Sequence, residues 1–338
     1  MFYILKTHQM NTTEENSEPF YTVVSFQFII PFFEICGIVG NSWILLTLIF
    51  GNVKISKTTK LYYLIIGIGD LFLVANIFVW VVICDSLLVW TNGTLGYCWD
   101  TVSLFACWGF NLSFYWAEIV SDYALMALSI ERFIAVCYPL KAKSILTKKF
   151  SFYLLFFLIV PLLVFYSFLI LFGSRIVKSY VLHDSVCSFD YQTIFGLAFR
   201  ASMPIIILGL HTIVDFIVTC ALFTKLYISR RKSEFTSTSQ KGTKELTATL
   251  VLITLCTCTM VIYSMALVVY LISTIIKFVS VSEQFYVHIH KITITLLSLT
   301  PVPHSINIFI YLAFIPSFRH SAFCKLYNVA SRKEATTT

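Results

Sequence analysis

Charge is what this chain has least of. Only 12% of its residues are Asp, Glu, Lys or Arg, where a soluble domain carries about 25%. The space is filled by hydrophobic residues, 58% of the total, and 17% of the chain is aromatic. A deficit spread along all 338 residues excludes an ordinary soluble globule and indicates an integral membrane protein. Paired CxxC motifs are missing too. The ten cysteines include only Cys256 and Cys258 in close spacing, a CxC inside an apolar run, so a structural zinc site is not indicated. The first 22 residues hold three glutamates and lack the compact apolar core of a signal peptide, which leaves targeting to the first membrane span. No internal repeat suggests an inverted-repeat transporter. No spacing suits a hydrolase triad or a metal-binding helix, so no enzyme is expected. No basic stripe lies on a soluble face, so nucleic-acid binding is not expected either.

What is present is a series of seven apolar stretches, near 23–50, 61–89, 103–136, 150–172, 195–227, 246–276 and 286–314. Each exceeds the roughly 20 residues that a helix needs to cross a bilayer. Prolines 31, 161, 204, 301 and 303 fall inside several of them; spanning helices tolerate this where neighbours satisfy the freed carbonyls. The fold expected is an all-α membrane protein, a seven-helix bundle over 23–314. It follows an extracellular segment, 1–22, and precedes an amphipathic membrane-surface helix, 315–327, and a cytoplasmic tail, 328–338.

Basic residues orient the bundle. The segments 51–60, 132–150, 225–245 and 317–338 hold 3, 5, 6 and 4 Lys or Arg, which is 18 of the 24 in the chain. By the positive-inside bias these segments are cytoplasmic and the N-terminus is outside. The net charge of +7 is thereby a signal of topology. Asn11 and Asn92 open outside-facing sequons and are candidate glycosylation sites, whereas the sequon at Asn111 lies within the third span. Cys107 and Cys187 both face the oxidising side, where disulfides persist. Cys98 competes for the pairing; Cys107–Cys187 is the expected bond. In the 316–327 segment Phe318, Ala322 and Leu326 recur about once per turn, as on a helix lying along the inner lipid leaflet. Cys324 is then a juxtamembrane candidate for palmitoylation.

Ionisable groups inside the membrane mark functional sites by default. Five are acids, Glu34, Asp70, Glu118, Asp122 and Asp215. With them stand Asn41, Asn307, His211, His304 and the adjacent Glu131 and Arg132. In sequence order come "GNSWILL" with Asn41, "IIGIGDLFLV" with Asp70, "SIERFIAVCYPLK", and "NIFIY" followed by "FIPSFR". This ordered set, with Cys107 standing 25 residues before Arg132, resembles the rhodopsin-like (class A) G-protein-coupled receptors, over about residues 23–327.

The resemblance implies roles. Arg132 is the switch arginine, paired at rest with Glu131 and facing a second acid, Glu245, at the inner end of the sixth span. Such a lock is worth on the order of 1–3 kcal/mol of bias between two states. Leu140 is the apolar residue that a heterotrimeric G protein grips, and Tyr311 moves inward on activation. Arrestin and receptor kinases are further implied partners, besides membrane lipid. Asp70, Ser121 and Asn307 resemble the family's mid-membrane sodium pocket, with sodium as an allosteric modulator and no other cofactor. The departures are several. Tyr263 replaces the sixth-span tryptophan and Met265 its proline. Ile308 replaces the seventh-span proline, Ile159 stands near the place of the fourth-span tryptophan, and Phe133 replaces a tyrosine. Pro303 occupies the place of a further polar residue of the sodium pocket. In the fifth span, Pro204 and the inner end favour different registers.

The ligand class is narrowed by position. Amine receptors carry an Asp 18 residues before the switch arginine, and that residue is Phe114 here. Opsins need a lysine six residues before the seventh-span Asn, and that residue is Pro301. Glu34 lies seven residues before Asn41 on the same helix face, roughly 10 Å further out at about 1.5 Å per residue. Glu118 is one turn below Phe114. With Trp80, Asn111, Phe114, Tyr115, Tyr263 and Tyr270 they outline an acidic, aromatic cavity suited to a cation. Protonated, hydrogen-bonded glutamates within the bundle are the alternative reading of Glu34 and Glu118, and Asp122 reads as structural. The expected ligand is a cationic neuropeptide at the plasma membrane. A chemosensory receptor for a small molecule would differ only in ligand, and a cation transporter or channel would leave the ordered motifs unexplained.

Overall fold

A computed structural model describes residues 28–51, 53, 55–79, 82, 101–178, 185–190, 192–233, 240–276, 289, 292 and 299–321. Asn11, Trp80, Asn92, Cys98 and Cys324 lie outside the described residues.

Helix starts follow side-chain chemistry more closely than hydropathy. Ser56, Ser103, Thr147 and Thr193 each accept a hydrogen bond from the backbone N–H three residues on, at 3.1–3.2 Å. A hydroxyl in that place satisfies one of the four N–H groups that every helix leaves free at its start. The second, third, fourth and fifth spans therefore begin at Lys57, Leu104, Lys148 and Ile194. For the second span the cap pulls the basic first turn, Lys57 to Lys60, into the helix ahead of the apolar run.

The first-span helix is Ile30–Phe50, the second Lys57–Ile77, the third Leu104–Cys137 and the fourth Lys148–Gly173. A short helix, Pro139–Ile145, joins the third to the fourth. The fifth span is built of Ile194–Met203, a π-helical segment Pro204–Leu210, and His211–Ser233. The sixth is one helix, Gln240–Ile276. The described part of the seventh consists of Val302–Ser305 and Asn307–Phe314, separated by Ile306. Among the described residues, five helical stretches are long and apolar enough to cross a membrane: Ile30–Phe50, Lys57–Ile77, Lys148–Gly173, Ile194–Ile228 and Thr249–Ile272.

The third helix has 34 residues, a length of about 51 Å, and runs through the middle of the bundle. It packs against the second, fourth, fifth and sixth spans, while the first span closes the ring against the second and the seventh. Burial follows: Ile119, Tyr123, Ala124, Met126, Ala127 and Leu128 on the third helix are core. Phe32, Phe72, Phe157 and Phe216 point outward, as residues facing lipid do.

The fifth-span irregularity has a cause and a consequence. Pro204 has no N–H and cannot continue an ordinary ladder, and a π segment begins there. The Tyr123 hydroxyl, from the third helix, donates to the Ile206 carbonyl at 2.9 Å. A π turn takes in more residues than an α turn over the same length, so registers counted from its two ends disagree. The two registers seen in the sequence part across this segment. The sixth span, with Met265 where the family has proline, shows no such break.

Outside the helices, β1 (Ser174–Lys178) and β2 (Ser185–Phe189) pair antiparallel, with Ile176 opposite Cys187. After Ile315 a further helical turn covers 316–321. Its Phe318 is fully buried against the Tyr311 ring, with centroids 5.8 Å apart, while Arg319 and His320 are exposed.

Candidate functional site

One end of the bundle is closed by the hairpin. Cys107, at the first turn of the third helix, is bonded to Cys187 of β2, with Cα atoms 5.5 Å apart. Asn111 spends its amide here: Nδ2 donates to the Cys107 carbonyl at 3.1 Å and lies 3.1 Å from the Cys187 sulfur. Its place one turn after Cys107 makes it a brace for the strap, a role that its expected place in the ligand cavity did not anticipate. Phe189 of β2 stacks on Phe199 of the fifth span at 3.8 Å between centroids, and Tyr115 meets Phe199 edge-on at 5.0 Å. Phe114 in turn meets Tyr115 edge-on at 5.0 Å. Arg175 of β1 pairs with Asp190 just beyond β2 at 3.1 Å. The hairpin is thus held to the third and fifth spans by a covalent bond and an aromatic stack.

Below this aromatic layer lie the acids. Glu34 and Glu118 are 1% and 4% exposed, and Oε2 of each has no hydrogen-bond partner among the described residues. An unpartnered buried carboxylate oxygen is expensive unless something satisfies it. Phe114 packs with Ile30, Leu73, Ile77, Ala117 and Leu299, an apolar collar contributed by four spans. Tyr270 turns away from the acids, its hydroxyl donating to the Arg200 carbonyl at 3.2 Å.

At mid-depth the polar residues form one connected cluster. Asp70 accepts from the Ser121 hydroxyl on Oδ1 and from the Asn307 amide on Oδ2. The His304 ring stands beside them, with Nδ1 2.7 Å from Asp70 Oδ1. Its Nε2 lies 3.0 Å from the Tyr263 hydroxyl and 3.7 Å from Asp122 Oδ1. Tyr263 donates to Asp122 Oδ2 at 3.1 Å, and His211 Nε2 approaches the same oxygen at 4.0 Å. Asp70, Ser121 and Asn307 do come together. Asp122 and Tyr263 belong to the same cluster, so the residue in the place of the family's tryptophan is tied by its hydroxyl to the third span.

Tight backbone approach makes this geometry possible. A Cβ on Gly69 would stand 3.0 Å from the Ser121 nitrogen and 3.1 Å from the Ala117 carbonyl oxygen. A side chain there would press on the backbone of the third span, so glycine lets the second span come this near, placing Asp70 against Ser121. Asn41 fixes the seventh span from the first, its Nδ2 donating to the His304 carbonyl at 2.9 Å.

At the other end of the third helix stand Glu131 and Arg132, the expected switch residues. The expected side-chain pair between Glu131 and Arg132 is not made in this conformation. Adjacent helical residues point about 100° apart, since a turn takes about 3.6 residues. Glu131 is 3% exposed and accepts from Ser151 of the fourth span at 2.9 Å. Arg132 donates instead to the hydroxyl of Thr59, in the first turn of the second span. Glu245 lies on the sixth-span helix, but its side chain is outside the described ones. Leu140 is 94% exposed at the start of the short connecting helix. Tyr311 is buried, its ring 4.9 Å from that of Tyr63.

Sequence reasoning named Asp70, Ser121 and Asn307 but gave His304 no role, although it stands three residues before Asn307 and so on the same helix face. Ser151 and Thr59 were missed as partners of Glu131 and Arg132. Lone hydroxyls at helix starts carry no signal beyond capping.

A helix ring around a central third span, a disulfide-tethered hairpin at one end and the adjacent Glu131 and Arg132 at the other mark out a seven-helix membrane receptor. Residues 40–311 match the family described as 7 transmembrane receptor (rhodopsin family), and the chain belongs to that family. It is therefore a multi-pass plasma-membrane receptor that answers an extracellular ligand through a G protein, and not an enzyme. No curated protein matches the chain.

Proposed function

We propose that this receptor binds a cationic ligand, a neuropeptide bearing Arg, Lys or a free amine, between Glu34 and Glu118, with its N-terminus outside the cell. The observation that carries this reading is the pair of buried carboxyl groups, each with an oxygen unpartnered among the described residues, beneath an aromatic layer. A ligand ammonium or guanidinium would satisfy both and stack on Phe114 and Tyr115. The orientation is supported by two opposed signals. The disulfide-bonded hairpin belongs on an oxidising side, and the basic loops after the first, third and fifth spans belong in the cytoplasm.

On the inner side, Leu140 is offered to a G protein, and Arg132 is released from Thr59 as the sixth span moves. The experiment is a screen of amidated Arg- and Lys-containing peptides by G-protein nucleotide exchange in receptor-bearing membranes. A peptide agonist found in this way should lose at least about tenfold in potency with Glu118→Gln, the loss of one charge-assisted contact. Unchanged potency would exclude Glu118 from the pocket.

A further inference from the structure

A sodium ion is held by oxygen lone pairs, and the cluster around Asp70 presents hydrogens instead. The Ser121 hydroxyl and the His304 ring both address Oδ1, and the Asn307 amide nitrogen addresses Oδ2. The imidazole is 4% exposed and spans the gap between Asp70 on the second helix and Asp122 on the third. Through the Tyr263 hydroxyl it also reaches the sixth helix. Its backbone is fixed by the Asn41 bond to its own carbonyl. Next to it, Ser305 fits a space where Gly37 has no Cβ: one built there would lie 2.7 Å from the Ser305 hydroxyl. The seventh span is thereby held closely to the first at the two residues His304 and Ser305.

We propose that the imidazole of His304 fills the place of the sodium ion that the family resemblance implies, so that this receptor has a built-in strut where an exchangeable ion would sit. The donor set does not fit sodium. An ion at contact distance from Asp70 Oδ1 would meet the His304 nitrogen, and neither Pro303 nor His304 supplies a side-chain oxygen. The strut joins the second, third, sixth and seventh spans through Asp70, Asp122, Tyr263 and its own backbone. Sodium concentration then has no hold on the resting conformation.

The test is thermal unfolding of the purified full-length receptor in detergent. Sodium chloride is exchanged for N-methyl-D-glucamine chloride at a constant ionic strength of about 0.15 M. The wild-type midpoint is expected to be the same in both salts. His304→Ser opens the space and offers a hydroxyl oxygen, and its midpoint is expected to rise by about 3 °C in sodium, the linkage effect of an ion at roughly ten times its Kd. A wild-type midpoint that rises with sodium overturns the proposal. So does a folded His304→Ser protein that ignores sodium. The wild-type titration needs no variant and decides the claim alone if His304→Ser does not fold.

Discussion

Tyr263 of the sixth span donates its hydroxyl to Oδ2 of Asp122 on the third span at 3.1 Å, with both side chains buried. Where the family resemblance places a tryptophan, this receptor has a ring that is hydrogen-bonded across the bundle. Removing the hydroxyl with Tyr263→Phe leaves a buried carboxylate short of a donor. The expected loss of stability is about 1–3 kcal/mol, read from thermal unfolding in detergent. A stability equal to wild type would mean that the hydroxyl bond carries no net weight.

Arg132 is held by Thr59 and Glu131 by Ser151, and on the proposed switch role of Arg132 these hydroxyls on neighbouring spans would keep the resting state. Thr59→Ala frees the guanidinium without touching the arginine. Basal nucleotide exchange is expected to rise roughly fivefold, the effect of about 1 kcal/mol on a two-state equilibrium. Basal exchange at the wild-type rate would place the resting lock elsewhere.

Leu140 is an almost wholly exposed leucine on the short helix after the third span. Leu140→Asp should lower agonist-stimulated exchange at least about tenfold, as expected for a hot-spot residue of an interface. Surface expression should stay as in wild type, since the side chain supports no packing. Full exchange with Leu140→Asp would remove this residue from the G-protein contact.

Gly69 sets the distance between the second and third spans, and a Cβ there would press on the backbone of Ala117 and Ser121. Gly69→Val should destabilise the receptor by about 1–3 kcal/mol, as overpacking does. An unchanged unfolding midpoint would contradict the close approach that brings Asp70 to Ser121.

Much of the fold was legible in the sequence, because apolar run length reports directly on lipid. Six of the seven expected spans appear as long helices, and the described part of the seventh is helical. The Cys107–Cys187 bond was readable because the basic-loop bias puts both cysteines at the same end of the bundle, the one expected to be oxidising. The register within the fifth span was not, since a π segment leaves no mark beyond a proline. His304 was unreadable for another reason. A histidine between two carboxylates is made by three helices, and no spacing along one chain announces it. The same holds for Glu131, whose partner Ser151 is chosen by the packing of the fourth span rather than by the neighbouring arginine.

The most direct measurement reconstitutes the receptor in vesicles with heterotrimeric G proteins and follows nucleotide exchange and cation flux together. A panel of amidated Arg- and Lys-containing peptides is added from the outside. The expected result is peptide-stimulated exchange with no flux, lost when Arg132 is replaced by Ala. Cation flux without any exchange would contradict it.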